Sequence, residues 1–178
     1  MAPPPLPDLL GPDLLVLFCG INPGLRSAEL GQHFARPGNR FWKLLHGGGF
    51  TDRVLRPSEQ DLLPSFGVGI TNLVERPTAA ASELTSSELR DGRARLVHKV
   101  RTIEPRCLAV LGMQAYRTAF RQPKAAIGPQ PEGIGNVLVW LLPNPSGLQA
   151  AYQLAEMTEL FGQLHRAVTV AAPRPHLT

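Results

Sequence analysis

The residues best placed to do chemistry in this chain are two asparagines, each at the end of a run of bulky apolar residues. Leu14-Leu15-Val16-Leu17-Phe18-Cys19 runs into Gly20-Ile21-Asn22-Pro23-Gly24, and Val137-Leu138-Val139-Trp140-Leu141-Leu142 runs into Pro143-Asn144-Pro145-Ser146-Gly147. An amide accepts a hydrogen bond at oxygen and donates at nitrogen, but it cannot act as a general base at neutral pH. Chemistry built on such groups is the orientation of water and the stabilisation of developing charge. Asp91 stands out because Asp91-Gly92 interrupts a strongly capped helix, where the glycine costs about 1 kcal/mol and invites a packing or functional explanation. Cys19 and Cys107 lie inside apolar runs and read as buried thiols, and His33, His46, His98, His165 and His176 lack ligand spacing, so no metal or other cofactor is expected.

The elements that must hold these residues follow from the same runs. Apolar stretches of this length bounded by Gly and Pro read as strands buried on both faces, as in parallel sheets, where ligands bind beyond the carboxyl ends of the strands. The two Asn-Pro turns are therefore where a site belongs. Phe66 to Leu73 and the neighbourhood of Leu108 to Leu111 give two more strands. Asn22 to Pro37 reads as irregular, Asn39 to His46 as a short helix ended by Gly47-Gly48-Gly49, and Pro57-Ser58-Glu59 as the start of another. Thr85-Ser86-Ser87-Glu88 is a capping box that opens a helix reaching Ile103. Further helices are expected around Met113 to Phe120 and from Leu148 to Ala167. The alternation gives an α/β class: a three-layer α/β/α sandwich around a mostly parallel four-stranded central sheet. Residues 1–13, with Pro3, Pro4, Pro5 and Pro7, are expected to be a loosely attached arm, 14–170 one domain, and 171–178 a loose tail.

The chain has 178 residues and a formal charge of +4, from 18 basic and 14 acidic residues. That mild excess permits an anionic partner such as DNA without demanding one. No apolar stretch approaches the roughly 20 residues of a membrane span, and the N-terminus lacks a signal-peptide pattern, so a cytoplasmic protein is expected.

Taken singly, an Asn-Pro turn is common punctuation. Three segments in order are not: Gly20-Ile21-Asn22-Pro23-Gly24, Phe34-Ala35-Arg36-Pro37-Gly38-Asn39-Arg40-Phe41-Trp42-Lys43, and Asn144-Pro145-Ser146-Gly147-Leu148. With them the chain closely resembles the mismatch-specific uracil-DNA glycosylases, relatives of thymine-DNA glycosylase, over about Leu14 to Val170. The resemblance implies a uracil-DNA glycosylase fold and the removal of uracil, or a related damaged pyrimidine, by cleavage of its N-glycosidic bond. A base inside a duplex is out of reach, so it must be flipped out, most cheaply at a mismatch or lesion.

Residue by residue, the resemblance gives Asn22 the hydrolytic water and Phe34 the stacking surface for the extruded base, worth ~1–3 kcal/mol. Ser27 and Asn144 fall in the base pocket, and backbone N–H groups near Ile21 are expected to receive charge from the leaving pyrimidine. Gly147, Leu148 and Gln149 form the wedge that fills the vacated stack. Asn144 stands where a related subfamily carries histidine, so the leaving base loses that help. Two departures matter. Relatives follow the wedge Gly-Leu with Ser-Arg where this chain has Gln149-Ala150, which puts preference for an opposing guanine in doubt. A related subfamily has Asp in the first turn as water activator, so Glu29, Asp61, Glu75 and Asp91 are the candidate replacements, Asp91 foremost. Arg26, Arg36, Arg40 and Lys43 are candidates for phosphate contact, while Trp42 is expected in the core. No lysine is placed to form a Schiff base. The expected protein is a monofunctional, monomeric enzyme on double-stranded DNA, associated with the nucleoid in a bacterium. Its rivals are a non-catalytic binder of mismatched or abasic DNA with the same fold, and a free-nucleoside hydrolase.

Overall fold

The continuous apolar runs form the centre of the sheet. Strands β1 (Val16–Gly20) and β3 (Cys107–Leu111) are buried at every position. The computed structural model describes residues 3–147 and 151–170. Three further strands are β2 (Val68–Asn72), β4 (Gly128–Pro129) and β5 (Leu138–Leu142), in the order β2-β1-β3-β5-β4. The β1, β2, β3 and β5 strands run parallel, and β4 pairs antiparallel with β5. The sheet thus has five strands where four were expected. The two-residue Gly-Pro edge has neither the length nor the apolar pattern to announce itself, and an edge is where a proline without an N–H is tolerated.

Alternation along the strands builds a core on each face. On one face Val16, Phe18, Trp140 and Leu142 pack with α2 (Phe41–Gly47) and α5 (Leu154–Val170). Phe18 sits at its centre, edge-on to Phe41 and Phe50 and stacked with Phe161. On the other face Leu17, Cys19, Leu108, Val110 and Leu141 pack with α3 (Ser86–Ile103) and α4 (Met113–Ala119). Burial pushes the Cys107 thiol up to about 12 and Cys19 still higher, so neither is a nucleophile. Helix α3 begins as its capping box predicts: Thr85 Oγ1 accepts from the Glu88 N–H (3.1 Å) and Glu88 Oε2 from the Thr85 N–H (2.8 Å).

Three local expectations change. Asn22 to Pro37 is not wholly irregular, because it holds α1 (Leu25–Leu30), a helix too short and uncapped to show in sequence. Helix α5 starts at Leu154, not Leu148, and the segment opened by Pro57 is a 3-10 helix, Pro57–Phe66. The arm is also tied down. Leu9 and Ile70 exchange both backbone hydrogen bonds at 2.9 Å, adding a short antiparallel segment to the free edge of β2. Asp8 Oδ1 accepts from Thr71 Oγ1 (2.8 Å), Asp8 Oδ2 pairs with Lys99, and Leu6 is buried. Proline content argued against helix, but a proline-rich segment suits an extended edge. Gly69 makes the room: a Cβ there would stand 2.8 Å from the Leu9 carbonyl oxygen. The expected tail, 171–178, lies outside the described residues.

Candidate active site

A cavity of about 130 Å³ opens beyond the carboxyl ends of the parallel strands. Gly20, Ile21 and Asn22 reach it from β1, Asn72 from β2, Leu111 from β3, and Asn144 and Ser146 from β5. Its size is close to the roughly 150 Å³ that admits a benzene-sized ring, so one six-membered ring fits.

Asn22 is held by the chain that follows β2. The ladder continues past the strands, with the Leu73 N–H donating to Gly20 O (2.8 Å) and the Val74 N–H to Ile21 O (2.9 Å). Asn22 Nδ2 donates to the Arg76 carbonyl and to Thr78 Oγ1, both at 2.8 Å. A carbonyl can only accept, and the single proton of the buried Thr78 hydroxyl goes to Ala80 O (2.8 Å). Both partners therefore require nitrogen, and Oδ1 is the end left for the cavity. The loop is braced in turn: the Arg76 guanidinium grips Glu88 at 2.8 and 3.1 Å and holds its carboxyl down to about 2, linking the capping box of α3 to the asparagine.

Asn144 is fixed the other way round. Its Oδ1 accepts from the Ser146 N–H (3.0 Å), a donor that fixes which amide atom faces it, and so Nδ2 is the end left for the cavity. Arg40 clamps this turn. Its backbone N–H donates to Pro145 O (3.0 Å), and its guanidinium donates to Tyr152 O (2.7 Å) and Ser146 O (3.2 Å). Gly147 completes the contact, since a Cβ there would lie 2.5 Å from the Gly38 carbonyl oxygen.

Phe34 forms a wall. Its ring lies 4.1 Å from that of Phe41, tilted by 31°. Its φ of 51° is left-handed, a strained state for a bulky residue of the kind that clusters at functional sites. Ser27 Oγ accepts from the neighbouring Ala35 N–H (3.1 Å) and holds that turn. Gly20 keeps the floor open, because a Cβ there would stand 2.7 Å from Asn72 Oδ1 and 3.3 Å from Phe34 Cζ. His33 is buried beside Phe34; desolvation holds its pKa below the ordinary 6.5 against the upward pull of Pro7 and Asp8. The neutral ring donates from Nε2 to Pro7 O (2.7 Å).

The cavity brings together Ile21, Asn22, Ser27, Phe34 and Asn144. Asp91 is not among them. It is exposed on α3, and its neighbour Gly92 is explained by packing, since a Cβ there would meet the Leu73 carbonyl oxygen at 2.2 Å. Glu29, Asp61 and Glu75 are likewise exposed, and no carboxylate or lysine lines the cavity among the described residues. Arg40 is engaged with the second turn, while Arg36 lines the mouth and Arg26 and Lys43 are exposed. Trp42 is buried and donates to His33 O (3.3 Å). Of the wedge, Gly147 is exposed beside the cavity, and Leu148 and Gln149 lie outside the described residues.

Asn72, Thr78, His33 and Leu6 were missed. Asn72 could have been found from the rule that placed the two turns, as it ends a buried strand. Thr78 carries no such signal, because only the tertiary path of the loop brings it to Asn22.

A protein from Methanosarcina acetivorans, solved by solution NMR and carrying the name of a uracil DNA glycosylase, has a similar fold. Identity is 21%, with a TM-score of 0.60 over 93% of this chain and 99% of that one. The sequence model described as the uracil DNA glycosylase superfamily matches residues 7–165. The chain belongs to the uracil DNA glycosylase superfamily, and that membership supports a DNA glycosylase role.

Proposed function

We propose that the protein is a monofunctional glycosylase that flips uracil, or a related damaged pyrimidine, out of double-stranded DNA and hydrolyses its N-glycosidic bond. A mispaired base is the favoured target, since it costs least to unstack. The observation that carries this reading is the fixed amide of Asn22, which directs an acceptor into a cavity sized for one six-membered ring.

In this mechanism the bond from the sugar C1′ to the base nitrogen breaks and its electron pair leaves with the pyrimidine. The sugar becomes cationic, and water held at Asn22 Oδ1 attacks C1′. A proton of that water is lost to solvent or to the departing base, and an abasic site remains. Because Asn22 cannot take the proton, catalysis rests on placement and charge stabilisation, and turnover is modest. Asn144 Nδ2 supports the charge growing on the base. The base stacks on Phe34, and the Asn72 amide, free of hydrogen bonds among the described residues, reads its polar edge with one donor and one acceptor. Gly147, Leu148 and Gln149 are the proposed wedge. No lysine lines the cavity among the described residues, in keeping with hydrolysis rather than strand cleavage.

The test is base release from duplex oligonucleotides carrying uracil, thymine or etheno-modified cytosine opposite each of the four bases, with free deoxyuridine as competitor. Uracil release that deoxyuridine fails to inhibit supports the reading. Tight mismatch binding without release identifies a binding module, and preferential cleavage of the nucleoside identifies a nucleoside hydrolase.

A further inference from the structure

The N-terminal arm reaches the cavity. Its pairing with β2 is antiparallel and anchored at Leu9 against Ile70, so reading back toward the N-terminus carries the chain to the carboxyl end of β2. Asp8 lies beside Thr71, and Leu6 arrives past Asn72, where it is buried and lines the cavity together with Asn72, His33 and Phe34. Three contacts fix this path: the Leu9 backbone pair, the Asp8 pairing with Thr71 and Lys99, and the hydrogen bond from His33 Nε2 to Pro7 O. Leu6 also precedes the stretch, 7–165, that matches the superfamily.

We infer that Leu6 is a specificity-determining residue: it closes the base pocket on the β2 side and excludes bases bulkier than uracil. The inference rests on the proposed glycosylase reading. An aliphatic side chain offers no hydrogen bond, so it selects by volume alone. Anchoring keeps that volume in place, because both a charged pair and a backbone pair hold the residues that follow Leu6. A cavity with room for one six-membered ring leaves little space for a further substituent, and Leu6 occupies part of the boundary where one would go.

Volume selection in an apolar pocket is worth about 10–200-fold per methylene-sized change. Single-turnover release of uracil, thymine and etheno-modified cytosine should be compared for the unaltered protein, Leu6→Ala and Leu6→Val. Leu10→Ala, a change at an exposed position of the same arm, is the control. The expected result is that Leu6→Ala raises the thymine-to-uracil or etheno-cytosine-to-uracil ratio at least about tenfold, and Leu6→Val raises it less in the same direction. Leu6→Val removes one methylene and provides the answer if Leu6→Ala fails to fold. Ratios within about twofold of the unaltered protein overturn the inference, as does an equal loss on every base at an unchanged melting temperature. If the unaltered protein releases no base from any duplex, the glycosylase reading has failed instead.

Discussion

The turn after β1 and the turn after β5 share the dipeptide Asn-Pro, yet they commit opposite ends of their asparagines. At Asn22 the nitrogen is used, by the Arg76 carbonyl and Thr78, and oxygen is left for the cavity. At Asn144 the oxygen is used, by the Ser146 N–H, and nitrogen is left. The difference lies in where the partners come from. Asn144 is oriented by its own turn, two residues on, whereas Asn22 depends on a loop more than fifty residues away. One dipeptide thus leaves an acceptor for the cavity at one turn and a donor at the other, and partners beyond the dipeptide decide which.

The largest expected effect is on the acceptor. Asn22→Ala should lower single-turnover uracil release at least about 100-fold with the melting temperature little changed, because the water loses its orientation. Retention of most of the rate would remove Asn22 from the water and reopen the search for a carboxylate. Thr78→Val leaves the amide with one orienting partner, a loss of about 1–1.5 kcal/mol or roughly tenfold in rate, and Thr78→Ser should restore it. Failure of serine to restore the rate would assign the loss to packing. Arg76→Ala removes a half-exposed ion pair from the bracing loop and should cost about fivefold at most in rate. The same change at the second turn's brace, Arg40, acts on Asn144 and not on Asn22, so the two losses should combine additively. The smallest effect concerns pH and stability. Since His33 is buried with its pKa below 6.5, the unfolded chain takes up the proton first as pH falls. Stability is therefore retained above about 6.5 and lost as pH falls through the window below it, and His33→Gln should flatten that part of a melting-temperature profile.

Much of this was legible in the sequence, and for identifiable reasons. Fully apolar runs such as Leu14 to Cys19 betray a sheet covered on both faces, and the capping box at Thr85 marks the start of α3 to the residue. Asn22 and Asn144 followed from the rule that sites lie beyond strand ends. Long-range partners were not legible. Nothing local marks Thr78 as the acceptor for Asn22, or Arg40 as the clamp on a turn more than a hundred residues later. Proline content by itself says only that the arm is not helical, and the space over Gly69 and the charge of Lys99 that receive it lie far along the chain. Asp91 misled because Gly92 suggested function, and the close Leu73 carbonyl explains it.

The division of labour between the two turns is tested most directly at Asn144. Replacing it by aspartate keeps an oxygen for the Ser146 N–H, and so keeps the turn, but sets a second oxygen where the donor was. Single-turnover uracil release by Asn144→Asp should fall at least about tenfold, and further than for Asn144→Ala, at an unchanged melting temperature. A rate equal to or above that of the unaltered protein would contradict the assignment of Asn144 as the donor to the leaving base.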